Sequence, residues 1–326
     1  MKIFPALLAS ATVLLITQLA SAHEYDGLMK AKKYAEAEKA ANAKLNTDAN
    51  NADALLVKAE LILAEGKLDK LDEAAKYAEQ CANAHPQLSE CHEMLGNVLG
   101  TKATSGSMFA AMSYAGKIRD AFIKAIELDP KNYSARGSLL QYYLQAPAIA
   151  GGGKSKAQNL VIETAKVNSA AGNLLQANMD LADDKFASAE TAALTAIPGN
   201  VESLSKMQRS TLYNLGAYYV QQKKFNDAER IFGDIQQRYP DKYQGAFGMG
   251  RSMQEQGKYK EAISWFEKAQ TLDTNAGVYY RLGQCLQATN DKPKAISYFE
   301  KALTYKPGLS KKFRSDAEDQ LKALKA

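Results

Sequence analysis

The sequence predicts an all-α solenoid, in which antiparallel helix pairs stack along one axis and a polar-backed helix closes the end. Three observations carry this. The chain has 326 residues, of which 54 are Ala and only 8 are Pro. Alanine is the best helix former and proline the strongest breaker, so this balance favours helices throughout. A glycine-centred motif recurs near the C-terminus at spacings of 34 and 33 residues, the period of a repeated supersecondary unit. Finally, Lys311 to Lys325 places Phe313, Ala317, Leu321 and Leu324 on one helical face, with charges elsewhere. Such a helix covers the open end of a stacked array.

Taken in order, the chain begins with an address. Met1-Lys2 is followed by Ile3 to Leu19 without a charge, then by Ala20-Ser21-Ala22. This three-part pattern is that of a secretory signal, with cleavage expected between Ala22 and His23. No cysteine follows the small residues, so a periplasmic or secreted chain is expected rather than a lipoprotein, with no stable membrane span after cleavage. Lys33-Tyr34-Ala35-Glu36-Ala37 reads as the second helix of a partial unit. Ala59 and Ile62 then pair with Ala74, Ala78 and Pro86. Leu95-Gly96 and Leu99 pair with the run Phe122 to Pro130. Leu140 and Tyr143 pair with Ala157 and Val161, and Ala177 pairs with Phe186, Ala189 and Ala193.

The last three units are the clearest. Leu215-Gly216, Met249-Gly250 and Leu282-Gly283 are each followed by an Ala-x3-Phe step, at Ala228 to Phe232, Ala262 to Phe266 and Ala295 to Phe299. Pro240 and Pro307 close two of them, and Thr274 stands in that place in the middle copy. This pattern resembles the tetratricopeptide repeat, with its small-residue helix A, its Ala-x3-Phe on helix B and its closing Pro. The resemblance implies a right-handed superhelix. With the signal peptide at 1–22, the chain then divides into a solenoid at 23–309, made of a partial unit and about seven helix pairs, and a capping helix and basic tail at 310–326.

Three units depart from the pattern between helices A and B. They carry three, ten and five extra residues, before Ala74, at 101–116 and at 146–153. Met108, Phe109, Met112 and Tyr114 lie in the longest insertion, as an adaptable contact surface or as packing against neighbouring units. Cys81 and Cys91 are expected on antiparallel neighbours across the Pro86 turn. A disulfide is favoured there over two free thiols or a zinc site that would add His85 and His92. Cys285 is expected to pack as a small hydrophobe.

Little in the sequence points to catalysis. There are 3 His in all, thin material for general-base chemistry or a metal site. Ala148 to Ser155 fits a permissive phosphate-loop pattern, but a helix rather than a strand is expected before it. The net charge of +5 is small for the length, and no basic arm is present. No enzyme, cofactor, metal site or nucleic-acid partner is expected.

The resemblance implies a binding scaffold whose concave surface is lined by helices A. On that face helical phase places Tyr213, Ala217 and Gln221, then Phe247, Arg251 and Gln254, then Tyr280, Gln284 and Gln287. This neutral, aromatic and amide-rich groove suits a peptide or partner protein. The family's carboxylate clamp needs Lys and Asn where this chain has Tyr213, Ala217 and Phe247. The alternative is an accessory component of a cell-envelope transport or assembly system that holds a small ligand or a solute-binding partner. A tightly wound superhelix would favour that alternative over an open arc.

Overall fold

The computed structural model describes residues 24–305 and 308–326. The expected signal segment, its Ala22–His23 cleavage point and Pro307 lie outside the described residues. Among the described residues the architecture is all-α, with seventeen α-helices and no strand.

Helices α1 (Asp26–Lys30) and α2 (Tyr34–Thr47) form the first, short unit. Seven helix pairs follow. They are α3 (Ala52–Ala64) with α4 (Leu71–Ala84), α5 (Ser89–Ser105) with α6 (Met108–Leu128), and α7 (Tyr133–Gln145) with α8 (Lys154–Val167). Then come α9 (Ser169–Ala182) with α10 (Phe186–Thr195), and α11 (Glu202–Gln221) with α12 (Phe225–Arg238). The last two are α13 (Tyr243–Glu255) with α14 (Tyr259–Leu272) and α15 (Ala276–Ala288) with α16 (Lys292–Thr304). Helix α17 (Lys311–Lys325) closes the array. Each helix packs on its neighbours in sequence, so the core is a continuous seam rather than one centre.

Local chemistry sets the boundaries. Asn51, Asn132, Asn168 and Asn275 each accept a hydrogen bond from the backbone N–H three residues on, starting α3, α7, α9 and α15. An Asn side chain there satisfies one of the orphan donors of a first turn, worth about 1 kcal/mol. The short turns between helices A and B share another device. Lys32, Asp184, Lys223, Gly257 and Asn290 all take positive φ, between 56° and 76°. A single left-handed residue reverses the chain within three residues, and the same turn therefore recurs in five units.

The glycines of helices A explain the close approach within a pair. A methyl at Gly96, Gly216, Gly250 or Gly283 would lie 2.4–2.9 Å from the ring of Phe122, Phe232, Phe266 or Phe299, respectively. Phe232 is held from both sides, since a methyl at Gly248 of the next unit would also strike it at 2.2 Å. Each glycine is therefore a socket for the phenylalanine of its own helix B. The repeat pattern implies that the small residues of helices A and B mark direct backbone contacts and that the aromatics fill the space between units. Ala228, Ala262 and Ala295 are indeed fully buried, but the glycines serve the rings.

The ten-residue insertion forms no loop. Helices α5 and α6 both lengthen, to 17 and 21 residues, and only Gly106 and Ser107 remain between them. Its run of Ala, Met and Lys without proline favours added helical turns. Phe109 is 91% exposed on this extension and Met112 is 41% exposed, so neither is packed away. Tyr114 is half-buried beneath the Lys102 ammonium, 4.8 Å from its ring centre. The two smaller insertions form single 3-10 turns, at Leu68–Lys70 and Ala148–Ala150.

Cys81 on α4 and Cys91 on α5 are disulfide-bonded, with Cα atoms 5.3 Å apart. Both are fully buried. The array also winds far enough for its start to meet its end. Lys32 reaches Asp273 at 2.5 Å and the Thr274 carbonyl at 2.9 Å, 241 residues away in sequence. Its ammonium lies 5.9 Å from the Tyr305 ring centre.

Two outcomes follow from these contacts. Gly250→Ala, which forces a methyl against Phe266, should destabilise the chain by about 1–3 kcal/mol in urea unfolding followed by circular dichroism. Gly233→Ala on α12, where a methyl meets nothing within 4 Å, should instead gain about 0.5–1 kcal/mol. The Cys81→Ala, Cys91→Ala double variant should lose about 3 kcal/mol, the loop-closure value for a span of this length. Reducing agent should then leave that variant's unfolding curve unchanged.

Candidate functional site on the helix A face

Much of the face expected from helical phase is occupied by the chain's own contacts. Phe247 lies at the centre of an aromatic cluster. Its ring centre is 6.2 Å from Tyr213, 6.0 Å from Tyr243 and 5.5 Å from Phe266. Arg251 donates to the Tyr213 hydroxyl at 3.0 Å. One unit on, Gln254 donates to Gln284 at 3.1 Å, and Gln284 donates to the Tyr280 hydroxyl at 2.7 Å. Tyr280 donates in turn to Asp316 of α17 at 2.6 Å, and Gln287 donates to Gln320 of α17 at 2.8 Å.

Tyr280, Gln284 and Gln287 therefore form the seat of the capping helix rather than an open groove. Tyr280 is only 5% exposed, with Phe299 and Phe313 rings at 6.2 and 5.3 Å. Burial, then the hydrogen bond to Asp316, pushes its phenol well above the ordinary value. Helical phase assigns these side chains to one face of α15. It carries no information on which later helix covers that face.

Arg281 was missed by that reasoning. It donates to Gln254 at 3.1 Å and lies 3.9 Å from Glu255. Burial, then the like charge of Arg251, holds its guanidinium below the ordinary arginine value. The sequence signal was a second cation, next to Tyr280, on a face that already held Arg251.

What stays open lies one unit earlier. Asn214, Ala217, Gln221, Arg251 and Glu255 line a cavity of 510 Å³ between α11 and α13. A second cavity, of 190 Å³, is lined by Ser210, Tyr213, Asn214, Tyr243, Gln244 and Phe247. Asn214 and Gln221 are exposed. Tyr213, Gln221, Phe247 and Arg251 are thus brought together around two adjoining cavities. Gln254 stands apart, bonded to Gln284 and Arg281.

Two family models for the tetratricopeptide repeat match the chain, one over residues 210–242 and the other over residues 243–307. Residues 210–307 carry tetratricopeptide repeats. Both matches fall on the units with the glycine sockets at Gly216, Gly250 and Gly283. No curated protein matches the chain. Among solved structures it is similar to a tetratricopeptide repeat protein from Parabacteroides merdae, at 16% identity over 92% of this chain and 95% of that one, with a TM-score of 0.46. It is similar to yeast Tom70 at 14% identity over 85% of this chain and 65% of that one, TM-score 0.46. It is also similar to Pseudomonas aeruginosa pilF, at 16% identity over 71% and 97%, TM-score 0.42.

The other candidate chemistry resolves into helix packing. The stretch resembling a phosphate loop follows helix α7, not a strand. Its amides are bonded to the chain's own carbonyls, Gly152 to Pro147 at 3.2 Å and Gly153 to Tyr143 at 2.8 Å. A phosphate would find those N–H groups already occupied. Cys81 and Cys91 hold each other. His85 Nε2 sits against the Asn50 carbonyl, and His92 Nε2 lies 3.0 Å from the Pro86 carbonyl. Among the described residues no three His, Cys, Asp or Glu side chains converge on one point. Cys285 is buried, and burial raises its thiol to about 12, so it stays protonated at neutral pH. No described helix is long and apolar enough to cross a membrane.

Tyr280→Phe should leave the Gln284 amide and the Asp316 carboxylate each short of a partner. The expected cost is about 1–3 kcal/mol in denaturant unfolding, with faster amide exchange in α17. An unchanged α17 would mean that the cap does not depend on this hydroxyl.

Proposed function

We propose that this chain is an exported scaffold that binds a peptide or partner protein on the helix A face between α11 and α13. That tetratricopeptide repeats make protein-interaction scaffolds is common to the architecture, and the finer placement is our reading. The observation that carries it is the pair of adjoining cavities around Tyr213, Asn214, Gln221, Phe247 and Arg251. They combine aromatic faces, amides and one guanidinium, the side chains that dominate interface energetics. The capping helix bounds this surface on one side, because it covers Tyr280.

Export is part of the proposal. The signal-like run at 1–22 supports it, as does a buried disulfide, which persists in oxidising compartments. N-terminal sequencing of protein from the native host should begin at His23. The binding role we propose is non-catalytic: the described histidines bond to backbone carbonyls and the free thiol is protonated.

A second reading, an envelope transport or assembly component that holds a small ligand, draws support from the winding. Lys32 meets Asp273 and Thr274, which brings the first unit against the turn after α14.

The test uses exposed positions that the fold does not need. Asn214→Arg with Gln221→Arg should reduce capture of crosslinked envelope partners at least tenfold and leave the unfolding curve in place. Capture at the wild-type level would remove this face from consideration.

A further inference from the structure

A cavity larger than these two lies outside the face just described, in the N-terminal half. It measures 660 Å³ and is bounded by α5, the α6 extension, α7 and the first turns of α11. That volume lies in the range that holds a small organic ligand. Two features of the sequence build it. The insertion after α5 lengthens α5 and α6 beyond the regular unit. The start of α11 reaches over α9 to α7, where Met207 Cε would lie 3.0 Å from a methyl on Gly137. Glycines keep the walls thin: a methyl on Gly100 would meet nothing within 4 Å.

Several of the polar residues on its walls are hydrogen-bonded within the fold. Thr101 and Thr104 donate to carbonyls of their own helix, at 2.9 Å to Asn97 and 3.1 Å to Gly100. Ser138 donates to Asn97 at 3.2 Å, and Gln145 to Gln141 at 3.3 Å. With these groups paired, the surface offered is chiefly that of Ala115, Ile118, Phe122, Met112 and Met207 and the threonine methyls. An extended peptide backbone would find few partners for its own N–H and C=O groups here, at a cost for each one buried unpaired. An alkyl chain has no such requirement.

The lining carries one charged residue, Lys206, and no carboxylate. Lys206 stands on the α11 face with Ser203 and Ser210, three and four residues away, and is exposed. Among the described residues it has no ion pair or hydrogen bond. An apolar chamber with a single unpaired cation at its exposed wall complements an apolar chain with one negative end.

We infer that this cavity binds a single-chain acyl carboxylate, its alkyl tail between α5, α6 and α7 and its carboxylate at Lys206. The site is separate from the α11–α13 face, and the inference does not rest on a protein partner binding there.

The experiment is calorimetric titration of the full chain with sodium decanoate below its micelle concentration, with butanoate and decan-1-ol as controls. Saturable one-to-one binding of decanoate is expected, with butanoate and decan-1-ol each at least tenfold weaker. Gly100→Leu fills the chamber at a helical position that tolerates a larger residue. It should abolish binding while keeping the unfolding curve. Lys206→Gln, at an exposed position, should weaken decanoate about tenfold and leave decan-1-ol unchanged, which keeps the test open if Gly100→Leu folds poorly. Asn214→Arg with Gln221→Arg should bind decanoate normally. Wild-type binding by Gly100→Leu, an equal response of both ligands to Lys206→Gln, or an apolar tetrapeptide binding more tightly than decanoate would overturn the assignment.

Discussion

The structure depends on a phenylalanine ring lying where a glycine has no side chain. In four units the ring of helix B occupies the space that a Cβ of helix A would need. The contact sets the distance between the two helices of a pair. It also buries a large apolar side chain, for Phe232, Phe266 and Phe299 are completely inaccessible. Burying such a ring is worth about 1.5–3 kcal/mol from transfer alone. Phe232 extends the effect between units, since Gly216 and Gly248 flank it from successive helices A. Spacing within pairs and stacking between pairs thus come from one kind of contact.

Where that contact is missing, the array changes character. In α7 and α8 the pair closes on Leu140, Ala157 and Val161, and in α9 and α10 on alanines. Helix α10 is short, with 10 residues, and the Pro198 turn, closed by the Val201 N–H on the Pro198 carbonyl, does not reach the carbonyls at its end. Gln208 of α11 instead bonds the carbonyls of Ala193 and Ala196 at 2.7 and 2.8 Å. This buried amide satisfies the end of α10 and pins the early turns of α11 across the stack. Length added to α5, α6 and α11 then encloses space that the regular units fill with a ring. The disulfide between α4 and α5 braces the same half from the other side.

The repeat was legible in the sequence because its residue types are dictated by contact. Small residues must face rings at a fixed period, and that period survives in Gly216, Gly250 and Gly283. Asparagines at 51, 132, 168 and 275 mark helix starts by a mechanism local to three residues, so they too can be read directly. The fate of the 101–116 insertion could not be read the same way. Extra residues between two helices can form a loop or lengthen both, and the difference lies in how the added turns pack. Tyr280 illustrates a second limit. Its phase fixes the side of α15 on which it sits, whereas its burial is decided by α17, about 30 residues later. Arg281 is half-buried and Gln208 fully buried, their partners lie outside their own helices, and no periodic pattern announces them.

Native-state hydrogen exchange, read helix by helix, tests most directly whether the aromatic sockets hold the array together. The account predicts that α11 to α16 exchange last and as one cooperative block, because consecutive units there share ring-on-glycine contacts. Helices α7 to α10, which lack them, should open at lower free energy. Equal protection along the whole chain, or slowest exchange in α7 to α10, would contradict it.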